Sequence, residues 1–301
     1  MLSPLGVAPL LKEFSPAVEF IVENVKFERI SRLDAMIQVY SLCKTVNPNE
    51  AKFLKSIAKL IEKLPNQALM DTIKETEHCQ RYVEPILSGL FDDPEKEVLF
   101  RWTSVLNEEY NQDSSISSAR PDSVMTRMDG LFFGFSLGFA EIKHTTSTFK
   151  YLVSKDLIRL GILSKNSIDQ HDLQGCLTIQ VVGFQMIVFL TTLLADGLYV
   201  MVEIGNITIP ASIREIPQYL TNSDEIISIL ECFQTWCSPS TQPQPSFKRK
   251  SLDDESFARL VSPSRSAKRR LIPAIDDYTC LFFIPLPLSL ILLLFDYITL
   301  I

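Results

Sequence analysis

The 301-residue sequence contains only three histidines and ten glycines, and its six cysteines include no Cys-x-x-Cys pair. A structural zinc centre needs closely spaced cysteines and histidines, so the sequence does not predict one. The scattered cysteines also lack the compact spacing of a disulfide framework, and we interpret them as buried thiols in a reducing compartment. Met1–Leu11 carries no basic residue before its apolar residues, which argues against a secretory signal.

A general excess of positive charge is also missing, because 29 Lys and Arg stand against 36 Asp and Glu. The chain as a whole is therefore not a basic nucleic-acid-binding protein, since such proteins bind phosphates mainly through Lys and Arg. Residues 247–270 are an exception, with eight basic and three acidic residues. Two clusters in this segment resemble a bipartite nuclear-localisation signal, and the alternative is a plain solvated charge run. The clusters are Lys248, Arg249, Lys250 and Lys268, Arg269, Arg270.

Apolar residues at helical spacing dominate the first part of the chain and predict a helical segment over residues 1–65. The clearest stripe runs from Phe53 to Leu64, with lysines such as Lys52 expected to point away from it. A second stripe, Leu33, Met36, Ile37 and Tyr40, is also expected to pack. Such stripes indicate packing, and we assign this segment no chemistry.

Strand and helix patterns alternate after residue 65, which predicts an α/β domain over residues 66–236. We expect a helix over 66–90, strands over 98–105, 123–126 and 131–142, and a helix over 148–168. A turn is expected at Asp129-Gly130, and Gly134 and Gly138 should mark a bulge or a close approach by another backbone. One long buried strand over 176–194, a turn at Ala195-Asp196-Gly197, shorter strands to residue 210 and a helix over 215–236, interrupted at Pro217, complete the domain.

Two carboxylates and an amine are predicted to meet on neighbouring strands. Asp122 follows Pro121 at the start of one strand, while Glu141 and Lys143 lie two residues apart on the next and so share a face. Mg²⁺ prefers oxygen ligands, usually one or two carboxylates with water and substrate phosphate. Asp122 and Glu141 are therefore candidate metal ligands, and Lys143 is a candidate to orient an attacking water and stabilise developing charge. The alternative makes Asp122 a turn residue and the other two an ordinary solvated pair.

This order of elements, with Pro121-Asp122 and Glu141-Ile142-Lys143 on its strands, resembles the PD-(D/E)XK nuclease-like superfamily over residues 66–220. Within that superfamily, the chain resembles a group of proteins from early-branching fungi. The phrases that carry this narrower resemblance are Arg-Pro-Asp at 120–122, Gly-Phe-Ala-Glu-Ile-Lys at 138–143, Lys-Asp-Leu-Ile-Arg-Leu at 155–160 and Val-Gly-Phe-Gln at 182–185.

The resemblance implies a restriction-endonuclease-like αβββαβ core and Mg²⁺-dependent cleavage of nucleic acid. In that mechanism Asp122 and Glu141 bind the metal and Lys143 acts on the water. It also suggests an acid on the first helix, Glu77 or Glu84, and an accessory role for Gln185. Lys155 is a further accessory candidate, within a basic rim formed by Lys143, Lys150, Lys155, Arg159 and Lys165.

The C-terminal part of the chain differs in composition from the rest. Residues 237–280 are rich in Ser, Pro and basic residues, and we expect them to be disordered. Residues 281–301 are almost wholly apolar and long enough to span a bilayer, although Pro285, Pro287 and Asp296 interrupt them. Two interpretations stay open, a membrane tail anchor and a loose tail produced by an artefact of gene annotation.

Two functions therefore follow from the sequence. The first is a metal-dependent nuclease, or its inactive descendant, that acts on nucleic acid in the nucleus or cytoplasm. The second is a non-catalytic interaction protein, anchored to a membrane if residues 281–301 form an anchor. Neither implies a small-molecule cofactor.

Overall fold

A computed structural model describes residues 14–103, 120–144, 150–240 and 290–291. Its helices are α1 (Ser15–Lys26), α2 (Arg32–Leu42), α3 (Pro48–Lys63), α4 (Glu75–His78), α5 (Glu84–Phe91), α6 (Lys150–His171), α7 (Ile216–Leu220) and α8 (Ser223–Trp236). Its strands are β1 (Val98–Trp102), β2 (Ser123–Asp129), β3 (Phe132–Lys143), β4 (Cys176–Val182), β5 (Gln185–Ala195), β6 (Leu198–Thr208) and β7 (Leu290–Ile291). The predicted α/β class is confirmed.

The chain divides into two compact units. The first comprises residues 1–92 and 207–231, and the second comprises residues 93–206 and 232–301. The helix that the sequence assigns to the start of the α/β domain therefore belongs to the first unit. The reason is that α5 packs against α3, where the Cα of Ser56 lies only 2.5 Å from the position that a Cβ on Gly89 would take.

The first unit is built around α3. Asn47 and Glu50 form a reciprocal capping box at its start, which satisfies backbone N–H groups that a helix leaves without partners. The apolar stripe of α3 is buried as predicted, and Phe53 lies against the ring of Tyr219 with 5.4 Å between ring centroids. Lys52 differs from the prediction, because it is buried rather than directed away.

The second predicted stripe is wrong, because Leu33 is 65% exposed and Ile37 is 55% exposed. Helix α2 buries Ala35 and Val39 instead. The guanidinium of Arg32 donates to carbonyl oxygens at the end of α3, including that of Ile61 at 2.6 Å, and this contact fixes the rotation of α2. Periodicity alone does not reveal which of two neighbouring helix faces is turned inward.

The helix predicted over residues 66–90 begins only at Glu75 and contains a π-helical turn, Cys79–Val83. Pro85 follows this turn and has no N–H to donate to the carbonyl four residues earlier, and π-turns accommodate such a missing bond.

Among the described residues, six strands of five residues or more form a mixed sheet in the order β1 to β6, and the two-residue β7 pairs with β6. Strands β1, β2 and β3 are antiparallel neighbours, β3 and β4 are parallel, and β4 and β5 are antiparallel. Helix α6 makes the crossover between the parallel strands and packs on the sheet, where Ile158 and Leu160 join a core that includes Phe139. This core fixes which face of β3 lies under α6.

The single strand predicted over residues 176–194 is wrong, because the chain turns back at Gly183 and forms β4 and β5. Gly183 has a φ of 59°, which suits a tight two-residue turn between Val182 and Gln185. The predicted interruption at Pro217 is also displaced. Pro217 lies in the first turn of α7, where proline is tolerated, and the helices separate after Leu220.

The expected turn at Asp129-Gly130 and the close approach at two β3 glycines are confirmed. A Cβ on Gly134 would lie 2.8 Å from the carbonyl oxygen of Arg127, and one on Gly138 would lie 2.8 Å from that of Leu177. The register between β2 and β3 shifts after Met125, so the sheet has an irregularity beside these glycines. Glycine at these positions lets β3 lie close to both neighbours.

Much of the predicted C-terminal segment lies outside the described residues. This applies to both basic clusters in 247–270 and to residues 281–301 except Leu290 and Ile291. Within the described part of the chain, none of the helices combines the length and apolarity needed to cross a membrane.

Candidate functional site

Asp122 lies immediately before β2, in a backbone segment held by Thr103. The N–H of Thr103 donates to the carbonyl oxygen of Asp122 at 3.0 Å, and its hydroxyl donates to that of Pro121 at 2.8 Å. The first bond continues the antiparallel pairing of β1 with β2 beyond Trp102 and Ser123, and the second adds a side-chain donor to it. The half-buried side chain of Asp122 therefore extends from a backbone segment that two hydrogen bonds hold in place.

The carboxylate of Asp122 replaces a backbone acceptor at the end of the hairpin. Pairing between β2 and β3 ends at Ser123 and Ala140, so Ile142 has no β2 residue opposite it. Its N–H donates to Oδ2 of Asp122 at 2.7 Å. A carboxylate is a strong acceptor, and this bond holds the Pro-Asp segment beside the Glu-Ile-Lys segment.

Glu141 and Lys143 lie on the face of β3 that α6 covers. Glu141 is 5% exposed, and its Oε1 accepts a hydrogen bond from Nζ of Lys143 at 2.9 Å. The strand alternation predicted from the sequence is therefore correct for this pair, but the solvated environment of the alternative interpretation is not what surrounds Glu141. In β4 the residue paired with Glu141 is Gln180, which is buried and donates to the carbonyl oxygen of Val153 at 2.8 Å.

Helix α6 adds Asp156, which the sequence did not identify as a site residue, and Arg159, which the sequence placed only in the basic rim. Nη1 of Arg159 lies 3.0 Å from Oδ1 of Asp156 and 3.6 Å from Oε1 of Glu141. Oδ2 of Asp156 lies 3.4 Å from Nζ of Lys143. The i,i+3 spacing of Asp156 and Arg159 predicts that they meet on one helix face, but it does not reveal that this face is turned toward Glu141.

The electrostatics of the site depend on Glu141. The pKa of its carboxyl is raised from 4.5 to about 7, first by burial and then by the negative charge of Asp122, while Arg159 and Lys143 act in the opposite direction. Burial acts to lower the pKa of Lys143, but the hydrogen bond and charge of Glu141, together with Asp156 and Asp122, outweigh it, so this pKa is raised. The carboxyl group of Glu141, whose ionisation is disfavoured by burial and by the charge of Asp122, thus lies beside an ammonium group that stays charged.

The other predicted site residues have partners of their own or stand beside the site residues in the chain. Glu77 is in the first unit and forms an ion pair with Arg81 at 3.0 Å. Gln185 begins β5 and donates to the side-chain oxygen of Asn206. Lys155 is half-buried on α6, one residue before Asp156.

The carboxylates of Asp122 and Glu141 are the kind of ligand that Mg²⁺ prefers. Mg²⁺ is commonly bound by one or two carboxylates, with water and phosphate completing the shell, and Asp122 and Glu141 supply two. Glu141 is buried at a cost to its ionised form, and a cation beside it would relieve that cost. No group of three or more His, Cys, Asp or Glu residues arranged to hold a metal ion occurs within the described ranges.

Comparisons of this chain with protein-family models, with curated proteins and with solved structures found no match.

Proposed function

We propose that the chain is a metal-dependent nuclease of the PD-(D/E)XK type, with a restriction-endonuclease-like core, that hydrolyses phosphodiester bonds in nucleic acid. The observation that carries the proposal is the meeting of Asp122, Glu141 and Lys143. The backbone N–H of Ile142, which lies between the last two, bonds to the carboxylate of Asp122. The proposal is also supported by the order of elements from β1 to β4, which is three antiparallel strands, a crossover helix and a parallel strand.

Each residue has a defined role in this proposal. Asp122 and Glu141 hold Mg²⁺, which when bound lowers the pKa of a water molecule and neutralises charge on the phosphate. Lys143 remains protonated because its pKa is raised, so it acts through its N–H donors and its charge. It orients the attacking water and stabilises the negative charge that builds on the phosphate oxygens as the P–O bond breaks.

Nucleic acid is the substrate class to which the basic residues point. Lys143 and Arg159 lie within the site, and the two basic clusters in residues 247–270 supply a second group of positive charges along the chain. Phosphate contacts by Lys and Arg provide most of the affinity for nucleic acid, and that affinity falls as salt rises.

The decisive assay is cleavage of supercoiled plasmid and labelled oligonucleotides by the full chain with Mg²⁺ or Mn²⁺. We expect Glu141→Ala and Lys143→Ala to lower the rate by about 10²-fold or more, as loss of one stabilising donor does. Arg127→Ala is the matched control, because Arg127 forms an exposed ion pair with Glu97 and its loss should leave the rate unchanged. If wild-type protein cuts no faster than the site variants, with either ion and either substrate, catalysis is refuted. The chain would then be an inactive descendant of a nuclease.

A non-catalytic interaction protein is the second candidate function. It is favoured by the turn between β2 and β3, where Leu131 is 94% exposed and Phe132 is 77% exposed. Adjacent exposed apolar side chains are typical of protein or membrane interaction sites. The membrane-anchored form of this function predicts a carbonate-resistant membrane fraction that disappears when residues 281–301 are deleted, and a soluble nuclear pool would exclude that form.

A further inference from the structure

The face of α6 that covers the site presents an acid and a base to β3. Asp156 is 5% exposed, and the side chain of Arg159 is 18% exposed. Burial of an ion pair is costly, and apolar residues of similar size often give equal or greater stability. A pair in this position therefore points to a need for charge or geometry at the site rather than to stability alone.

Arg159 connects three parts of the chain. Its Nη1 contacts Asp156 on the same helix and Glu141 on β3, and its Nη2 donates to the carbonyl oxygen of Arg120 at 3.0 Å. Arg120 lies two residues before Asp122, so this bond attaches the segment that carries the first carboxylate to α6. The guanidinium group is planar and its N–H donors have a fixed arrangement, which lets one side chain set the spacing of all three partners.

Asp156 supports both cations of the site. One of its oxygens binds Arg159, and the other lies 3.4 Å from Nζ of Lys143. Glu141 also contacts both Lys143 and Arg159. Asp156 and Glu141 thus each contact both cations. Lys143 and Arg159 therefore keep Asp156 as a partner when Glu141 binds something else.

We propose that Asp156 and Arg159 are positioning residues of this site. Arg159 sets the distance between Glu141 and the segment that carries Asp122, and Asp156 holds Lys143 and Arg159 in place. The inference rests on the proposed function, because positioning matters only where Asp122, Glu141 and Lys143 act together.

The kinetic test uses the full chain, supercoiled plasmid and Mn²⁺, with kcat and KM measured separately. We expect Arg159→Ala and Asp156→Asn to lower kcat by about 10- to 100-fold with little change in KM, as loss of supporting partners does in metal sites. Arg159→Lys should recover only part of the loss, because it keeps the charge but not the planar arrangement of donors. Arg127→Ala is the control, since Arg127 forms an exposed ion pair with Glu97 in the same unit.

A second measurement does not depend on cleavage. The amide hydrogen of Ile142 binds the carboxylate of Asp122, so its exchange rate reports how firmly the two segments are held together. We expect Arg159→Ala to accelerate this exchange by about tenfold, as loss of a charged hydrogen bond would, while Arg127→Ala leaves it unchanged. Asp156→Asn nearly preserves size and shape, and it serves in place of Arg159→Ala if that variant does not fold.

The two measurements separate the two proposals. An unchanged exchange rate at Ile142 in the Arg159 and Asp156 variants overturns the positioning role. A kcat within about twofold of wild type overturns it too, because loss of a supporting partner should lower kcat much more. Wild-type protein that does not cleave with any divalent ion refutes the nuclease, and in that case the exchange measurement alone decides whether Arg159 holds the two segments together.

Discussion

Substitution of Glu141 by glutamine is expected to stabilise the protein at neutral and alkaline pH. Burial and the charge of Asp122 raise the pKa of Glu141 from 4.5 to about 7 in the folded chain. A carboxyl group with a raised pKa favours folding when it is protonated, so its contribution is complete in acid and is lost as the pH rises toward 7. Glutamine has a similar shape and stays neutral, so the variant avoids this loss.

The magnitude follows from linkage. At pH 8 the ionised group costs wild-type protein about 3 kcal/mol relative to a carboxyl group with an ordinary pKa, whereas at pH 5 the cost is about 1 kcal/mol. The difference in unfolding free energy between Glu141→Gln and wild type should therefore grow by about 2 kcal/mol between these pH values. Lys143 and Arg159 already limit the cost, because both lower the pKa of Glu141.

The assay is urea denaturation of both proteins at several pH values between 5 and 8, in the absence of divalent ions. Glu77→Gln is a suitable control, because Glu77 forms an exposed ion pair with Arg81 and such pairs contribute only about 0–1 kcal/mol. A stability difference that does not change with pH, or that shifts toward wild type as pH rises, would refute the reasoning about the buried carboxylates.

Three further outcomes test other parts of the structure. Addition of Mg²⁺ at pH 8 should raise the melting temperature of wild-type protein in a thermal-shift assay and leave that of Asp122→Ala unchanged, because a ligand stabilises only a state that binds it. Gly138→Ala should lower the unfolding free energy by about 1–3 kcal/mol in urea titration, since overpacking forces the backbone to shift; its Cβ would lie 2.8 Å from the carbonyl oxygen of Leu177. Asn47→Ala should cost about 1 kcal/mol in the same assay through loss of the α3 cap.

The proximity of Asp122 to Glu141 and Lys143 could be predicted from the sequence because it depends on local rules. A turn at Asp129-Gly130 joins two strands, and side chains two residues apart on a strand share a face. Those two rules bring Asp122 near Glu141 and Lys143 without knowledge of the rest of the fold. The deep burial of Glu141 could not be predicted in this way, since it depends on how α6 covers β3.

The sequence alone did not reveal which charged side chains of α6 lie over β3. Charged residues are distributed along the helix, and Lys155, Asp156 and Arg159 follow each other too closely for periodicity to indicate an inner face. The packing of Ile158 and Leu160 into the sheet core decides which of these charged side chains lie over β3. Only the tertiary packing distinguishes Asp156 from its neighbour Lys155.

The hairpin of β4 and β5 was missed for a different reason. Residues 176–194 contain no charged residue and are rich in Val, Ile, Phe and Thr, so no charged or strongly polar cluster marks where one strand ends. The turn contains Gly183 but no Asn-Gly or Asp-Gly pair, which are the strongest turn signals. The absence of charge across both strands removes the contrast that would have located the reversal.

The bond between Ile142 and Asp122 joins residues only 20 positions apart in the chain. Hairpins of this kind form within about 1–10 μs, long before a parallel pair that needs a crossover helix. We therefore expect the two carboxylates to come together first in water during folding, where their repulsion is weak. The full cost of pairing Glu141 with Asp122 is imposed later, when α6 docks and excludes solvent, so the arrival of this helix is the step at which the charges of Lys143 and Arg159 become necessary.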